Sequence, residues 1–473
     1  MISVVLSSAL KQLAMLRSGD LSIVELAELH LQQIARLDEK IGAFVDFDHE
    51  RVRAQAILLE REWISNRDST GPLHGLPVSI KSSIATAGYR CEIGSTLLRG
   101  QTPVEDAEVV SRLRRAGALI LGTTNCPEFL MAYETENLLH GRTSNPWDLA
   151  RTPGGSSGGE SAAIASGMSA AGLGSDSGGS VRLPAHFTGI CSLKPTPGRI
   201  PGRGHLPPCY GPFNVLGSIG PMARTIDDVW LIFETLSGRD VSDPVSYPSK
   251  NQRPTENELR RRKIGYFEDD GLVPVTEETR IAIRDAAHVL KEAGFLVEPF
   301  RPKSLEALRH LWWKGFVQCG AMLYEPMIRG KHSELSPIFQ EFMEIAGQSG
   351  ELDALEILHL WTDMDVERGR MLEEMQQYSV LLCPVASIPA FRHGARSWEV
   401  DGIKLSYLDA VRHTQWWNVL GAPAAVIPMG RSSDGLPIGV QVVARPHEDE
   451  IALGVAAILD RECGFVPPPI ALS

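Results

Sequence analysis

Apolar residues recur at helical spacing through the first 65 or so residues. Between Ser22 and Leu37 they return every three or four positions, and the segment from Glu50 to Trp63 continues in the same style. This period lines one face of a helix with side chains that need burial. The N-terminal part of the chain is therefore predicted to be helical.

Beyond Gly71, short apolar runs alternate with helical patterns. Predicted strands lie at 75–80, 118–121, 263–267, 295–300, 380–382, 425–427 and 438–443. Helical patterns occupy 106–116, the stretch that follows Thr276, 305–329, 352–378 and 448–459. An alternation of helices and strands along the chain is typical of an α/β protein.

The segment from Gly154 to Ser180 departs from this pattern. It holds nine glycines and eight serines in 27 residues, a composition typical of flexible linkers. However, residues 160–169 carry alanines, an isoleucine and a methionine, and a helix of such small side chains can pack closely against a sheet. We favour a buried helix between two serine-rich loops over a linker.

Composition and charge narrow the class of protein. The 473 residues are 43% hydrophobic and 22% charged, as in folded globular proteins and unlike disordered ones. A net charge of −12 disfavours nucleic acid and anionic membranes as partners. We expect no transmembrane helix and no signal peptide, because no apolar run is long enough and the N-terminus lacks a basic region and a cleavage site.

The spacing of the cysteines and histidines argues against disulfide bonds and metal sites. No CxxC pair occurs, and the odd number of widely spaced cysteines favours reduced thiols in a cytoplasmic protein; the seven are Cys91, Cys126, Cys191, Cys209, Cys319, Cys383 and Cys463. None of the thirteen histidines shows a metal-binding spacing such as H-E-x-x-H. No metal and no cofactor are expected.

The first serine-rich loop, Gly154 to Gly159, satisfies the short pattern G-x-S-x-G. A nucleophile elbow of the α/β-hydrolase type would make Ser157 the nucleophile, with His413 or His447 as a partner. The pattern matches by chance in any stretch this rich in glycine and serine, and no HGGG-type segment precedes it. It is not a P-loop either, because no Gly-Lys-Ser or Gly-Lys-Thr follows.

Two further elements carry possible chemistry. The second loop, Gly174 to Arg182, offers Ser180 behind two glycines, with consecutive N–H groups free to form an anion-binding nest. Lys81 ends an apolar run; a lone lysine is usually a solvated charge, and this one would be a base only if burial lowered its pKa.

Together these elements resemble the amidase signature family. The resemblance covers most of the chain, and its motifs fall in family order: Gly75 to Lys81, Asn125 to Phe129, Ser144 to Trp147, Gly154 to Gly159, Gly174 to Arg182 and Leu193 to Thr196. It implies that Lys81 is the base, Ser156 a bridging serine on a cis peptide bond and Ser180 the nucleophile. It further implies an oxyanion hole made by the backbone N–H groups of Ser177, Gly178, Gly179 and Ser180.

This set of residues suits amide hydrolysis without a metal or a histidine. A neutral Lys81 can take the Ser156 proton while Ser156 takes that of Ser180, and Ser156 can then protonate the leaving nitrogen. Backbone N–H groups would stabilise the oxyanion. Asp176 and Arg182 are interpreted as supports of the nucleophile loop rather than substrate contacts. Arg199 is either a loop support or a contact at the entrance.

The resemblance implies an α/β fold of the amidase-signature type, with a mixed twisted β-sheet covered on both faces by α-helices. We expect a single domain with N-terminal helices at 1–70, a signature core at 71–240, a variable helical cap at 241–375 and the rest of the core at 376–473. Within that cap, the aromatic stripe around Trp312 and Phe316 is interpreted as core rather than as an apolar lid.

The predicted function is that of an amidase acting on linear amides through an acyl-enzyme, with esters and carbamates, including urethanes, as further candidate substrates. The partner is a small molecule, and both a monomer and a homodimer stay open. An alternative within the family is the glutamine-hydrolysing subunit of a transfer-RNA amidotransferase. It is disfavoured because residues 214–221 lack the Ser-Leu-Asp that this subunit typically carries before its Gly-Pro. An alternative of another class is a binding or scaffold protein without catalysis.

Overall fold

The computed structural model describes residues 2–67, 70–208 and 211–472, so Cys209 lies outside the described part. Fifteen strands are found there: β1 Phe44–Phe47, β2 Pro77–Lys81, β3 Leu119–Thr124, β4 Glu136–Asn137, β5 Gly141–Arg142, β6 Ala171–Asp176, β7 Cys191–Lys194, β8 Ser218–Ala223, β9 Lys263–Tyr266, β10 Leu296–Pro299, β11 Val380–Pro384, β12 Ser397–Val400, β13 Ile403–Ser406, β14 Ala424–Arg431 and β15 Pro437–Ala444.

Helices cover both faces of the main sheet. They are α1 Ile2–Val5, α2 Ala9–Ser18, α3 Ile23–Ile41, α4 His49–Ser65, α5 Glu108–Arg115, α6 Gly158–Ala165, α7 Arg182–Thr188, α8 Pro212–Leu216, α9 Ile226–Leu236, α10 Glu256–Arg260, α11 Glu277–Glu292, α12 Leu305–Trp312, α13 Cys319–Ile328, α14 Pro337–Gly347, α15 Ala354–Glu374, α16 Tyr407–Ala410, α17 Gln415–Leu420, α18 Asp449–Cys463 and α19 Pro469–Leu472. A π-helical turn, Trp313–Gln318, joins α12 to α13. None of the helices in the described ranges is both long and apolar enough to cross a membrane.

Eleven strands form one mixed sheet in the order β1-β3-β2-β6-β8-β7-β14-β15-β11-β9-β10. Strand β2 lies between β3 and β6 and is parallel to both, while β6, β8, β7 and β14 are joined by antiparallel pairs. The predicted α/β fold with a mixed sheet and helices on both faces is confirmed.

Alternating side chains of the strands bury both faces of the sheet. In β14, Ala425 and Ile427 pack in the core on the side of α5, α9, α11 and α18, whereas Ala424 and Val426 pack on the side of α7, α12 and α17. Successive side chains of a strand point to opposite faces, so the sheet needs apolar residues at consecutive positions. This explains the unbroken apolar runs of the C-terminal strands.

Two parts of the fold differ from the expected organisation. The N-terminal region is interrupted by β1, which pairs with β3 at the sheet edge. The β9-α11-β10 unit, which lies within the expected cap, joins the main sheet through a parallel pair between β9 and β11. The strands expected at 263–267 and 295–300 and the helix expected after Thr276 form this unit, which extends the core sheet. Helices α12 to α15 therefore form the helical layer over the site.

The small-residue helix was predicted correctly, and the linker alternative is wrong. Every residue of α6 is buried, and the helix packs against β2 and β6. Strands β6, β7 and β8 were not predicted. In β6 the reason is that residues 171–176 read Ala-Gly-Leu-Gly-Ser-Asp and lack the β-branched side chains that are typical of strands.

Candidate active site

Lys81 is the last residue of β2 and is completely buried. Its Nζ donates to Ser156 Oγ at 2.7 Å and to Ser175 Oγ at 3.1 Å. Because β2 is an inner strand, parallel neighbours hold its backbone on both sides. The lysine is therefore a fixed group among serines rather than a surface charge.

Ser156 lies in the tight loop that leads into α6. The peptide bond between Gly155 and Ser156 is cis, as the family resemblance implied. A Cβ on Gly155 would lie 2.6 Å from both the backbone nitrogen and the carbonyl oxygen of Glu134, so this position admits only glycine. The close backbone approach places the Ser156 hydroxyl against Lys81.

Ser157 has a structural role and is not placed as a nucleophile. Its N–H donates to the Ser180 carbonyl at 3.1 Å, and its buried hydroxyl bonds the backbone carbonyl of Ser175 at 3.4 Å. The two serine loops are tied together by these contacts. His447 Nδ1 bonds Tyr247 Oη at 2.9 Å, and His413 is packed against Trp416. Neither histidine lines the cavity at Ser180, so the elbow interpretation is wrong.

Ser180 follows β6 and precedes α7, and it is partly exposed. It lines the same cavity as Ser156 and Ser175. The proposed nucleophile thus shares a space with the serine that Lys81 contacts.

Asp176 and Arg182 form a fully buried ion pair under this loop. Arg182 Nη2 and Nε bond the two carboxylate oxygens at 2.8 and 3.0 Å, and Arg182 also donates to the Thr414 carbonyl and to the side chains of Asn418 and Gln441. Burial alone would raise the pKa of Asp176, but Arg182 and its other donors hold that pKa well below its usual range. The pair supports the loop and does not line the cavity.

The carbonyl groups of Ser177 and Gly178 are engaged by side-chain donors. Trp312 Nε1 donates to the Ser177 carbonyl at 2.8 Å, and the Gly178 carbonyl accepts from Thr414 Oγ1 at 2.6 Å and from Tyr133 Oη at 2.9 Å. In a trans peptide the N–H points opposite to the C=O. The N–H of Gly178 is therefore turned away from Trp312.

One of the four expected oxyanion donors is already engaged. The N–H of Gly179 donates to Asp176 Oδ1 at 2.8 Å, and Gly179 has a φ of 125° that favours glycine. Within the described residues, the N–H groups of Ser177, Gly178 and Ser180 have no hydrogen-bond partner. These three therefore stay the expected oxyanion donors with available N–H groups, whereas the N–H of Gly179 holds the loop on Asp176.

Arg199 lies away from the cavity. Its guanidinium bonds Asn251 at 2.9 Å, contacts Glu450 and covers the Phe233 ring at 5.1 Å. Arg199 is only 5% exposed. It supports the loop that follows β7, which was one of the two expectations for it.

The cavity at Ser180 has two lobes. An apolar lobe of about 580 Å³, its open mouth included, is lined mainly by aromatic and aliphatic side chains: Leu130, Met131, Ala132, Tyr133, Gly178, Ser180, Trp312, Phe316, Val317, Ile338, Glu341, Phe342, Ile345, Tyr407 and Leu408. A smaller lobe of about 370 Å³ is lined by Phe129, Leu130, Met131, Ser156, Ser175, Ser177, Ser180, His205, Pro207, Phe213 and Phe316. Ser180 lies where the lobes meet, and Ser156 faces only the smaller one.

Several residues of the site were missed by the sequence analysis. Ser175 was not assigned, although it stands at the carboxyl end of β6, beside the end of β2 that carries Lys81. Recognising β6 as a strand would have indicated it. The core interpretation holds for the buried Trp312, against whose cluster Phe316 packs, but it missed that both residues also line the apolar lobe. Across the described part of the chain, no three His, Cys, Asp or Glu side chains are grouped to hold a metal ion.

Comparison with known sequences places the chain in a family. The sequence model of the amidase family matches residues 25–453. The chain belongs to the amidase signature family. It is 33% identical to the acylamidase of Rhodococcus erythropolis, with 95% of this chain and 94% of that protein covered. It is also 33% identical to one subunit of the glutamyl-tRNA(Gln) amidotransferase of Roseiflexus castenholzii, with 94% of each chain covered.

A solved structure supports the same family. The structure of 6-aminohexanoate cyclic dimer hydrolase in complex with its substrate has a TM-score of 0.84 and 26% sequence identity, covering 99% of both chains. This family membership indicates an amide-cleaving hydrolase. The relatives include both amidases and amidotransferase subunits, and the amidotransferase alternative is not favoured over the amidase.

Proposed function

We propose that the protein hydrolyses linear amides through an acyl-enzyme on Ser180, with Lys81 as the base and Ser156 as the proton carrier between them. The observation that carries this proposal is the 2.7 Å contact between Lys81 Nζ and Ser156 Oγ, because Ser156 lines the same cavity as Ser180. A buried amine that bonds a serine hydroxyl is placed to accept its proton.

The first step forms the acyl-enzyme. Lys81 accepts the Ser156 proton, Ser156 accepts the Ser180 proton, and Ser180 Oγ attacks the amide carbon. The oxyanion is stabilised by the N–H groups of Gly178 and Ser180, with that of Ser177 beside them. Ser156 then gives its proton to the leaving nitrogen and takes back the proton held by Lys81, so that a neutral amine departs and both relay groups return to their starting state. Water repeats the sequence on the ester and regenerates Ser180.

The two lobes indicate which half of the substrate goes where. The leaving nitrogen must lie near the proton donor Ser156, which faces the smaller lobe. The acyl group then extends into the apolar lobe, where its burial contributes about 25 cal/mol per Å² of apolar surface. We therefore expect apolar or aromatic acyl groups on small amines, with the matching esters and carbamates as further substrates.

The proposal includes a cytoplasmic location and a small-molecule substrate without a cofactor. The acylamidase relative and the hydrolase structure favour this stand-alone activity. The competing function is glutamine hydrolysis within an amidotransferase, which would require partner subunits.

A substrate panel tests the proposal. Anilides, aliphatic amides, esters, carbamates and glutamine are assayed by release of the amine, the alcohol or ammonia, with wild type and Ser180→Ala compared. We expect turnover of apolar acyl amides and a loss on the order of 10⁴- to 10⁶-fold in the variant. A fluorophosphonate should label wild type and not Ser180→Ala. Glutamine as the preferred substrate would favour the amidotransferase, and the absence of both turnover and labelling would favour a binding protein.

A further inference from the structure

A second ionisable group lies beneath the proposed base. Glu160 belongs to the first turn of α6 and is completely buried. Its Oε1 accepts a short hydrogen bond from Ser79 Oγ, and its Oε2 accepts from Thr124 Oγ1 at 2.8 Å. Ser79 precedes Lys81 by two residues on β2, and Thr124 is the β3 partner of Lys81 in the parallel register. Ser79 and Lys81 therefore share one face of the strand, and Glu160 lies on that face.

The fold builds a close-fitting cradle for this carboxyl group. Gly172 on β6 pairs with Ser79, and a Cβ at Gly172 would overlap Glu160 Oε1. No side chain larger than hydrogen is compatible with the carboxyl at that place. Strand β2 thus contributes the Ser79 hydroxyl and β3 the Thr124 hydroxyl. Strand β6 leaves space for the carboxyl group at Gly172.

The hydrogen-bond partners of Glu160 are neutral hydroxyl groups rather than cations. Both of its carboxyl oxygens accept from hydroxyl groups, and the Lys81 amine interacts with it electrostatically. An isolated carboxylate is costly to bury, and such a group takes up a proton instead. Burial accordingly raises the pKa of Glu160 to about 8, against the opposing effects of the two hydroxyls and of the Lys81 charge.

We propose that Glu160 is a positioning residue that keeps its own proton, so that the neighbouring Lys81 amine stays uncharged and free to act as the base. In the resting enzyme, Glu160 and Lys81 together hold one titratable proton, and that proton is on the Glu160 carboxyl group. An ionised Glu160 would instead stabilise the Lys81 ammonium, which cannot accept the Ser156 proton. This inference rests on the proposed function in its assignment of Lys81 as the base.

Other titratable groups near the pair do not disturb this arrangement. Cys126, after β3, and His205, in the loop after β7, both interact with Lys81. Burial raises the pKa of the Cys126 thiol and lowers that of His205 to about 4. Both are uncharged near neutral pH, so Glu160 and Lys81 are the groups whose charge is at issue.

The first test is the pH profile of Glu160→Gln, which keeps the shape and cannot ionise. If Glu160 is already neutral, the acid limb of kcat/KM in Glu160→Gln stays at the wild-type pH, because no charge next to Lys81 has been removed. If Glu160 is anionic, its removal lowers the pKa of the base and moves the acid limb down by about 1 to 3 pH units. Such a shift would overturn the proposal.

The second test measures unfolding by denaturant and does not depend on catalysis. The folded pKa of Glu160 is raised above its ordinary value of 4.5 to about 8, so its stabilising contribution is present at low pH and is lost as pH rises through this interval. Between pH 4.5 and 8, the free energy of unfolding of the wild type should therefore fall relative to that of Glu160→Gln. Glu258→Gln is the control, because that exposed carboxylate has a lowered pKa and its contribution is constant above about pH 5.

A third measurement uses wild type alone, in case Glu160→Gln fails to fold. Infrared spectra should show a protonated carboxyl group that titrates between pH 7 and 9. A difference in stability between wild type and Glu160→Gln that does not vary with pH would contradict the proposal, even if the enzyme is an active amidase. So would the absence of a carboxyl titration between pH 7 and 9. Conversely, if the carboxyl group titrates in this range but the protein has no amidase activity, Glu160 is protonated as proposed and the assignment of Lys81 as the base is wrong.

Discussion

The floor and the wall of the cavity are built on different principles. The floor consists of Ser156 and Ser175, to which the buried Lys81 donates at 2.7 and 3.1 Å, and beneath it lies the buried Asp176–Arg182 pair, with hydrogen bonds of 2.8 and 3.0 Å. The wall over it comes from α12, α14 and the π-helical turn, whose cavity-facing side chains are mostly apolar and partly exposed.

This difference separates chemistry from specificity. Directional hydrogen bonds fix the floor to within a fraction of an ångström, as proton transfer needs. Apolar contacts of the wall are non-directional, so side chains there can vary without disturbing the floor. We expect changes in the floor to abolish turnover and changes in the wall to alter the substrate preference.

The largest expected effect comes from breaking the proton relay. Lys81→Arg should lower kcat by about 10³-fold or more, because arginine keeps its charge and cannot serve as a base. Lys81→Ala and Ser156→Ala should each be as damaging. The double variant should be little worse than the poorer single one, because both act on one proton path.

Steady-state kinetics of the four variants check this prediction. Lys194→Met is the matched control: Lys194 is also a fully buried lysine, but it bonds the Pro195 carbonyl and does not line the cavity. Additive losses in the double variant, or an active Lys81→Arg enzyme, would make Lys81 a structural charge only.

The floor was largely predictable from the sequence, while the wall was not. Lys81, Ser156 and Ser180 stand in motifs whose order and spacing follow the family, because the relay tolerates no other residue types. Trp312 and Phe316 lie in a helical pattern that indicates which face is apolar, but not whether that face meets the core or a cavity. Ser175 was missed because β6 is too rich in glycine to be recognised as a strand.

The next largest effect concerns the support under the floor. Arg182→Met leaves the Asp176 carboxylate buried without its cation, and should lower the free energy of unfolding by about 3–5 kcal/mol. Because the pKa of Asp176 is lowered in the folded state, its wild-type contribution is present above about pH 4 and lost as pH falls. The deficit of Arg182→Met should therefore shrink toward acid.

Denaturant unfolding at pH 7 and at pH 3 measures this deficit. Arg199→Met is the control, since that guanidinium is buried on another loop. It should lose stability while its folded fraction keeps the wild-type kcat. Equal loss of kcat in both variants would show that the Asp176–Arg182 pair has no special relation to the nucleophile loop.

A smaller effect is expected at the wall. Phe342 lines only the apolar lobe and packs on Phe339 with a centroid distance of 6.0 Å. Phe342→Ala should lower kcat/KM about tenfold for amides of long or aromatic acyl groups, and leave acetamides nearly unchanged, because only the larger acyl groups reach it. Leu358→Ala, an exposed change on α15, should have no effect. A uniform fall for all acyl lengths would place the acyl group elsewhere.

The smallest effect separates two neighbouring serines. Ser175 Oγ accepts from Lys81 at 3.1 Å, whereas the Ser157 hydroxyl contacts only the Ser175 backbone, at 3.3 and 3.4 Å. Ser175→Ala leaves the amine held by fewer acceptors, so kcat should fall about tenfold with little change in KM. Ser157→Ala removes weak loop contacts worth about 1 kcal/mol of stability and should change kcat less than threefold. If Ser157→Ala proves the more damaging variant, the coupling between the two loops matters more to catalysis than the orientation of Lys81.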